Sequence, residues 1–448
     1  IKACWIFIQT CRVLEDYRAA FETLLSMQMW APLDQEKKRL FSLLVPHVST
    51  LDYSRETITK FTALLNQTGI ELRYFGTLFS DYVRRRAEIM NRPVEIRDFF
   101  QDELFLTGLI KTWICMPEAE SILVRLRLLL LHDTLGNEVL NSDYIPLIQA
   151  IAHHNARVEY VQYISHQEEE LLNTLLQLLQ YRENDSHWSL EEDEGLLLLL
   201  SMYLPFDELP IKSRLLDFPL EIWPESIRDI ASLTLFGPAD EIEKGGKIPS
   251  MTKVHSTVSK SVQSQYEENP FPRWDYVDAV YQGDISRFVR QYVPNFQGIV
   301  DHNSQNAKIL IAGCGTGRQV VQTAKAFPSA SITAFDISRR SLGYASKKIA
   351  ELSLPNIELF HGDILALPGT MEQFPYIECC GVLHHLEYPL EGWRRLIEQL
   401  KPGGVMLVAL YSEIARSEIN KERKRIEALG VKASARNIRN YRQQLMNQ

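Results

Sequence analysis

No apolar run in the 448 residues is long enough to cross a membrane. The longest, Leu196 to Leu200 ahead of Ser201-Met202-Tyr203-Leu204, is about half of a spanning helix, so a buried helix is expected there. Cysteine is sparse. Six residues (Cys4, Cys11, Cys115, Cys314, Cys379, Cys380) exclude a disulfide framework in a chain this size, and their spacing fits no metal site. His153-His154 has no carboxylate at ligand spacing either, so no metal is expected. An excess of positive charge is also missing. Lys and Arg number 48 against 57 Asp and Glu, a net charge of −9, which speaks against a chain-wide grip on nucleic acid. The first residues, Ile1-Lys2-Ala3-Cys4-Trp5, lack the basic, apolar, small-residue order of a secretory leader. A cytoplasmic location is therefore expected, with no membrane partner. No fixed-period repeat is visible.

What is present suits a globular protein of two or three domains: 45% hydrophobic and 23% charged residues. Residues 1–236 read as an all-helical domain. Glu168-Glu169-Glu170 opens a stretch in which Leu171, Leu172, Leu175, Leu176, Leu178 and Leu179 recur at three and four residues. Gly237-Pro238, Gly245-Gly246 and Pro249 concentrate turn signals, so 237–255 is expected to be a linker. The remaining 256–448 is expected to be an α/β domain whose leading segment, 256–306, forms a lid. That segment starts with a short helix ending at Asn269-Pro270-Phe271-Pro272, since proline disfavours helix in the residue before it. From Lys308 onward, strands alternate with helices five times, which predicts a mainly parallel sheet with ligands beyond its carboxyl ends.

The first strand runs into Gly313-Cys314-Gly315-Thr316-Gly317. Glycines let a backbone take positive φ and approach a ligand, and the next helix points free N–H groups into the same space. Asp336 closes the second strand, twenty-three residues after Gly313, where a carboxylate can accept from both hydroxyls of a ribose. Ile337 follows it. Asp363 and Ile364 follow the third strand, placed to accept from an adenine amino group and to cover its ring. Val382 lies after the fourth. A nicotinamide site would require Gly-x-Gly-x-x-Gly, whereas here Arg318 stands at the third glycine position.

Together with Leu400-Lys401-Pro402-Gly403-Gly404 before the fifth strand, these motifs resemble the class I methyltransferases. Gln265-Tyr266-Glu267-Glu268-Asn269-Pro270-Phe271-Pro272-Arg273-Trp274 and Gly381-Val382-Leu383-His384-His385-Leu386 are similar to the bacterial methyltransferases associated with tetratricopeptide repeats. So are Tyr203-Leu204-Pro205 and the segment from Leu410 to Arg416. The resemblance implies a Rossmann-like methyltransferase fold behind an all-α domain, with S-adenosylmethionine as cofactor. It implies a cofactor site of Tyr266, Gly313, Cys314, Gly315, Thr316, Gly317, Asp336, Ile337, Asp363, Ile364 and Val382. The chain departs from the family in three places. Ile311 stands where many members carry an acid, Phe374-Pro375-Tyr376 enters the fourth strand without an aspartate, and no sixth and seventh strand follows Ser412. The chain is therefore expected to be cut at both ends, with the edge of the fifth strand uncovered.

Methyl transfer needs alignment, and a base only when the acceptor must lose a proton. His384, His385 and Tyr411 stand where the acceptor should sit, and histidine titrates near neutrality. Tyr266 and Arg273, in the lid, are placed to reach the cofactor's carboxylate. The acceptor, a small molecule or a protein side chain, is not legible. The alternative is a cofactor-binding interaction or scaffold protein with a vestigial fold, and the helical domain is expected to recruit a protein partner. The tail from Ser412 to Gln448 holds nine Lys and Arg against four Glu and reads as a solvated helix face.

Overall fold

The computed structural model describes residues 2–30, 33–182, 188–277, 281–297, 307–369 and 373–446. Two compact units result: Ile1–Pro238 with Val431–Gln448, and Ala239–Gly430. The expected lid, 256–306, is described except for 278–280 and 298–306, which lie outside the described residues.

The first unit is helical among its described residues. Its longest helix, Pro117–Asn137, buries Leu123, Leu126, Leu130 and Leu131, at the three- and four-residue spacing that puts side chains on one face. The leucine-rich segment forms two helices, His166–Arg182 and Glu194–Ser201; the second buries Leu197 to Leu200. No described helix is long and apolar enough to cross a membrane. Arg127 lies among these helices with 1% of its surface exposed. Its Nε donates to Glu168 at 2.9 Å and its Nη2 to the Tyr163 carbonyl at 2.5 Å.

Of the expected solvated tail, the helix Ser417–Ala428 buries no residue, but the last helix is seated on the first unit. In the helix Ala435–Met446, Arg436 pairs with Glu169, Arg442 with Glu120, and Arg439 donates to the Tyr160 carbonyl at 2.8 Å. Of these arginines, spaced at three, two find carboxylates on two helices distant in sequence and the third a backbone carbonyl. Local sequence could not reveal that.

His154 is fully enclosed, and its Nε2 accepts from the Ile114 amide at 3.0 Å. Accepting there requires a neutral ring, and burial pushes its pKa down to about 4 from 6.5. Protonation is thus harder in the fold than in the unfolded chain. The stability this neutrality contributes is full above pH 6.5 and is lost as pH falls toward 4, by about 3 kcal/mol in all. Urea unfolding of wild type and His154→Asn at about pH 7.5 and about pH 5 checks this. The variant should show the shallower loss on acidification, and identical slopes would refute the assignment.

The expected linker is largely helix. Glu225–Ala231, a π turn at Ser232–Phe236 and Gly237–Lys247 form one continuous helical run. Pro238 has no N–H to donate and its ring crowds the preceding turn, and the widened π turn just before it relieves both. There the Gly237 amide reaches back to the Ser232 carbonyl. The glycines act through packing. A Cβ on Gly245 would lie 2.1 Å from the Arg339 carbonyl oxygen, and one on Gly343 would lie 1.9 Å from that of Glu241. Helices Gly237–Lys247 and Arg339–Glu351 therefore touch backbone to backbone. Backbone cannot yield as a side chain can. Gly343→Val should cost at least the ~3 kcal/mol of severe overpacking and lower the melting temperature by about 6–12 °C. Thermal unfolding followed by circular dichroism checks it, and an unchanged midpoint would contradict the close approach.

The second unit is built on five parallel strands in the order β3-β2-β1-β4-β5. They are β1 Lys308–Ala312, β2 Ser331–Asp336, β3 Ile357–His361, β4 Phe374–Cys380 and β5 Leu400–Ala409. Helices Arg318–Ala326, Arg339–Glu351 and Pro389–Glu398 connect them. This parallel order with helices between strands fits the Rossmann-like fold expected from the sequence. The central strands β1 and β4 are almost wholly buried and read as continuous apolar runs, as strands covered on both faces do. The Lys401-Pro402-Gly403-Gly404 turn proves to be an irregularity inside β5. Leu400 pairs with Phe374 but Val405 with Tyr376, so the intervening residues bulge, with Gly403 at φ +80°. Residues 249–251 lie against the outer side of β3 through the Met251 amide to the His361 carbonyl and the His361 amide to the Pro249 carbonyl. β5 is the other edge, and Leu407 is 41% exposed.

Candidate functional site

A cavity of about 550 Å³ opens at the carboxyl ends of β1, β2 and β4, within the usual size of a small-molecule site. Its floor is the glycine loop. Gly313 at φ +73° lets β1 turn, and a Cβ there would strike Val382 Cγ2 at 2.3 Å. Gly315, at φ +52°, donates its amide to Asp336 Oδ2 at 2.7 Å. Asp336 Oδ1 accepts from the Ser338 amide at 2.9 Å. One carboxylate thus pins the loop and the turn after β2 together, and still has acceptor sites facing the cavity. Burial raises its pKa, tempered by these amides. Gly317 takes a left-handed conformation at φ +81° and starts the helix Arg318–Ala326. Its neighbour Cys314 is buried, which pushes the thiol well above its ordinary range.

Asp363 lines the cavity beside Ile364, and its Oδ1 caps the following turn by accepting from the Leu365 amide at 3.0 Å. Ile337 also lines it, its carbonyl accepting from Gln263 Nε2 at 3.0 Å.

The helix Thr257–Glu268 and the turn after it cover the cavity: Ser259, Val262, Tyr266, Phe271 and Pro272 line it with Gly315. The cover is tied to the loop. Thr316 Oγ1 donates to the Pro272 carbonyl at 2.5 Å, and Trp274 Nε1 to the Thr316 carbonyl at 3.0 Å. Arg273 differs from expectation. It forms a two-pronged pair with Glu241 at 2.6 and 2.9 Å and stacks on Tyr344, so it serves the fold and not a ligand carboxylate.

On the far wall stand His385 and Tyr411. The His384 ring lies 3.8 Å from that of Tyr411, and Arg416 sits 3.9 Å over the Tyr411 ring. Among the described residues neither ring nitrogen of His384, nor His385 Nε2, has a hydrogen-bond partner. Both imidazole pKa values are lowered. For His385 burial leads and the Arg416 and Arg423 charges add to it; for His384 burial leads, then His385 and Arg416. At neutral pH both rings are therefore uncharged and able to take a proton. His385 faces the cavity and His384 stands behind it.

Sequence reasoning misses Arg318, Gln319, Gln322 and Cys380 in the lining. The signal for Gln319 and Gln322 is their place on the first turns after the loop; nothing local marks Cys380.

Comparison with known proteins is consistent with this geometry. Residues 309–404 match the methyltransferase domain family. An uncharacterized protein of Synechococcus sp. is 34% identical over 181 residues, 39% of this chain and 42% of that protein. The malonyl-[acyl-carrier protein] O-methyltransferase of Halalkalibacterium halodurans is 29% identical over 140 residues, covering 30% and 51%. The trans-aconitate 2-methyltransferase of Deinococcus radiodurans is 35% identical over 102 residues, covering 23% and 37%. The chain thus spans about half or less of the length of these curated relatives. Among solved structures, PKMT2 from Rickettsia typhi in complex with AdoHcy aligns with 25% identity and a TM-score of 0.26, covering 28% of this chain and 25% of that one. These resemblances support a methyltransferase domain at residues 309–404.

Proposed function

We propose that the α/β unit transfers a methyl group from S-adenosylmethionine to a small-molecule or protein acceptor, and that the helical unit recruits a protein partner. The observation that carries the reading is one cavity holding two kinds of chemistry. Its inner end combines the glycine loop, which lets a ligand approach the backbone closely, with Asp336 and Asp363, a set that fits a nucleoside: one carboxylate for ribose hydroxyls and another for an amino group. The outer end carries His385 and Tyr411 against an apolar lid. The bound cofactor supplies a methyl group on a sulfonium that leaves as a neutral thioether. The protein's own part is to hold the nucleoside, exclude water with Tyr266 and Phe271, and accept the acceptor's proton at the His385 imidazole.

Titration calorimetry with S-adenosylmethionine, followed by tritium-methyl transfer into a cell extract, tests the reading. Binding without transfer would favour the scaffold alternative; absence of binding would overturn both. Once an acceptor is found, His385→Gln should lower kcat by about 10²–10⁴-fold while leaving cofactor affinity intact. An equal kcat would remove His385 from the chemistry. Because its pKa is lowered, the wild-type rate should persist below pH 6.5 before it falls.

A further inference from the structure

Beneath the glycine loop lies a carboxylate that the proposed chemistry leaves unused. Glu378, in β4, is 4% exposed. Its Oε2 accepts from Gln319 Nε2 at 2.7 Å and from Thr323 Oγ1 at 2.8 Å. The Tyr376 hydroxyl is buried without a hydrogen-bond partner among the described residues. The same Gln319 Nε2 lies 3.2 Å from Cys380 Sγ. Gln319 and Cys380 line the cavity, and Glu378 stands behind them.

We infer that Glu378, acting through Gln319, is a positioning carboxylate that forms the subsite for the ammonium group at the amino-acid end of the methyl donor. This rests on the cofactor reading above. Three features point the same way. First, the register pairs Glu378 with Ile311 of β1, so both side chains leave the sheet on the face toward the helix Arg318–Ala326. That face of β1 is apolar here, with Ile309 and Ile311 in one core cluster, so β4 provides the charge. Second, the amide of Gln319 is oriented. Its N–H group is committed to Glu378 and Cys380, which leaves Oε1 as the acceptor available to a ligand in the cavity. Third, the charge is unanswered. The groups that bear on Glu378 are neutral donors, and burial raises its carboxyl above the ordinary range. A buried carboxylate without a cation favours a cationic partner at the nearest open space, and here that space is the cavity.

The test compares two ligands that differ only at the amino-acid end. S-adenosylhomocysteine carries the ammonium; 5′-methylthioadenosine shares the nucleoside and thioether but lacks it. Both are titrated calorimetrically into wild type, Glu378→Gln, Gln319→Leu and Thr323→Val, with melting temperatures measured alongside. Glu378→Gln and Gln319→Leu should each weaken S-adenosylhomocysteine by about tenfold or more and leave 5′-methylthioadenosine within about twofold. Thr323→Val removes one hydrogen bond to Glu378 and keeps both Glu378 and Gln319, so it should weaken S-adenosylhomocysteine by less than Glu378→Gln and leave 5′-methylthioadenosine within about twofold. Equal losses for both ligands would show a purely structural Glu378 and overturn the proposal, as would unchanged S-adenosylhomocysteine binding. If Glu378→Gln does not fold, the two titrations of Gln319→Leu decide between these outcomes by themselves. Failure of the wild type to bind either ligand would overturn the cofactor reading, and this subsite with it.

Discussion

Asp336→Ala should reduce affinity for S-adenosylmethionine by about 10²–10⁴-fold, the largest loss from any single change in the cavity. Charge-assisted hydrogen bonds are worth about 1.5–3 kcal/mol each, and two to the ribose amount to roughly 3–6 kcal/mol. A second effect adds to the first. Asp336 holds the Gly315 amide at 2.7 Å and the Ser338 amide at 2.9 Å, so its removal also frees the loop that meets the ligand. Asp336→Asn, which keeps one acceptor oxygen, should fall between. Calorimetric titration checks the series. An unchanged dissociation constant for the alanine variant would remove the nucleoside from this end of the cavity.

Glu168→Ala should destabilise the helical unit by about 3–5 kcal/mol, because it leaves the Arg127 guanidinium buried without its counter-charge. The side chains are 2% and 0% exposed, so water cannot take the place of the lost partner. Glu168 also accepts from Tyr203 Oη at 3.1 Å and from the Ser165 amide at 2.8 Å, and those donors would be orphaned too. The double replacement Arg127→Met with Glu168→Leu should recover most of the loss, since it removes both charges at once. Denaturant unfolding of the three chains decides it. If the double variant were no better than Glu168→Ala, the cost would lie in packing and not in the isolated charge.

The sheet is largely legible in the sequence because its information is local. Each strand is a short apolar run, and Gly313, Asp336 and Asp363 sit at strand ends where chain direction alone points them toward one another. The linker is not legible. Gly237-Pro238 and Gly245-Gly246 carry the composition of a turn, but Gly245 is there for the backbone of Arg339, 94 residues further along the chain. A glycine chosen for a close approach cannot be told from one chosen for a turn until the partner is known. Arg273 misleads for a related reason. Its position beside the cavity can be read from sequence, but its preorganised partner, Glu241, lies in the stretch that reads as linker. Glu378 is invisible as a polar group because it sits in a strand that otherwise reads as core.

The return of the helix Ala435–Met446 to the first unit has a consequence for how the chain is made. Arg442 meets Glu120 across 322 residues of sequence. At synthesis rates of about 5–20 residues per second, roughly 15–60 seconds separate the emergence of the two partners. During that interval Glu120, Glu169 and the Tyr160 carbonyl have been made and their arginines have not. The intervening residues fold as a separate unit, so the loop to be closed is shortened before the helix arrives. Translation order therefore makes this helix the last piece of the first unit to seat, and a nascent chain stalled before Ala435 should still present that acidic surface to solvent.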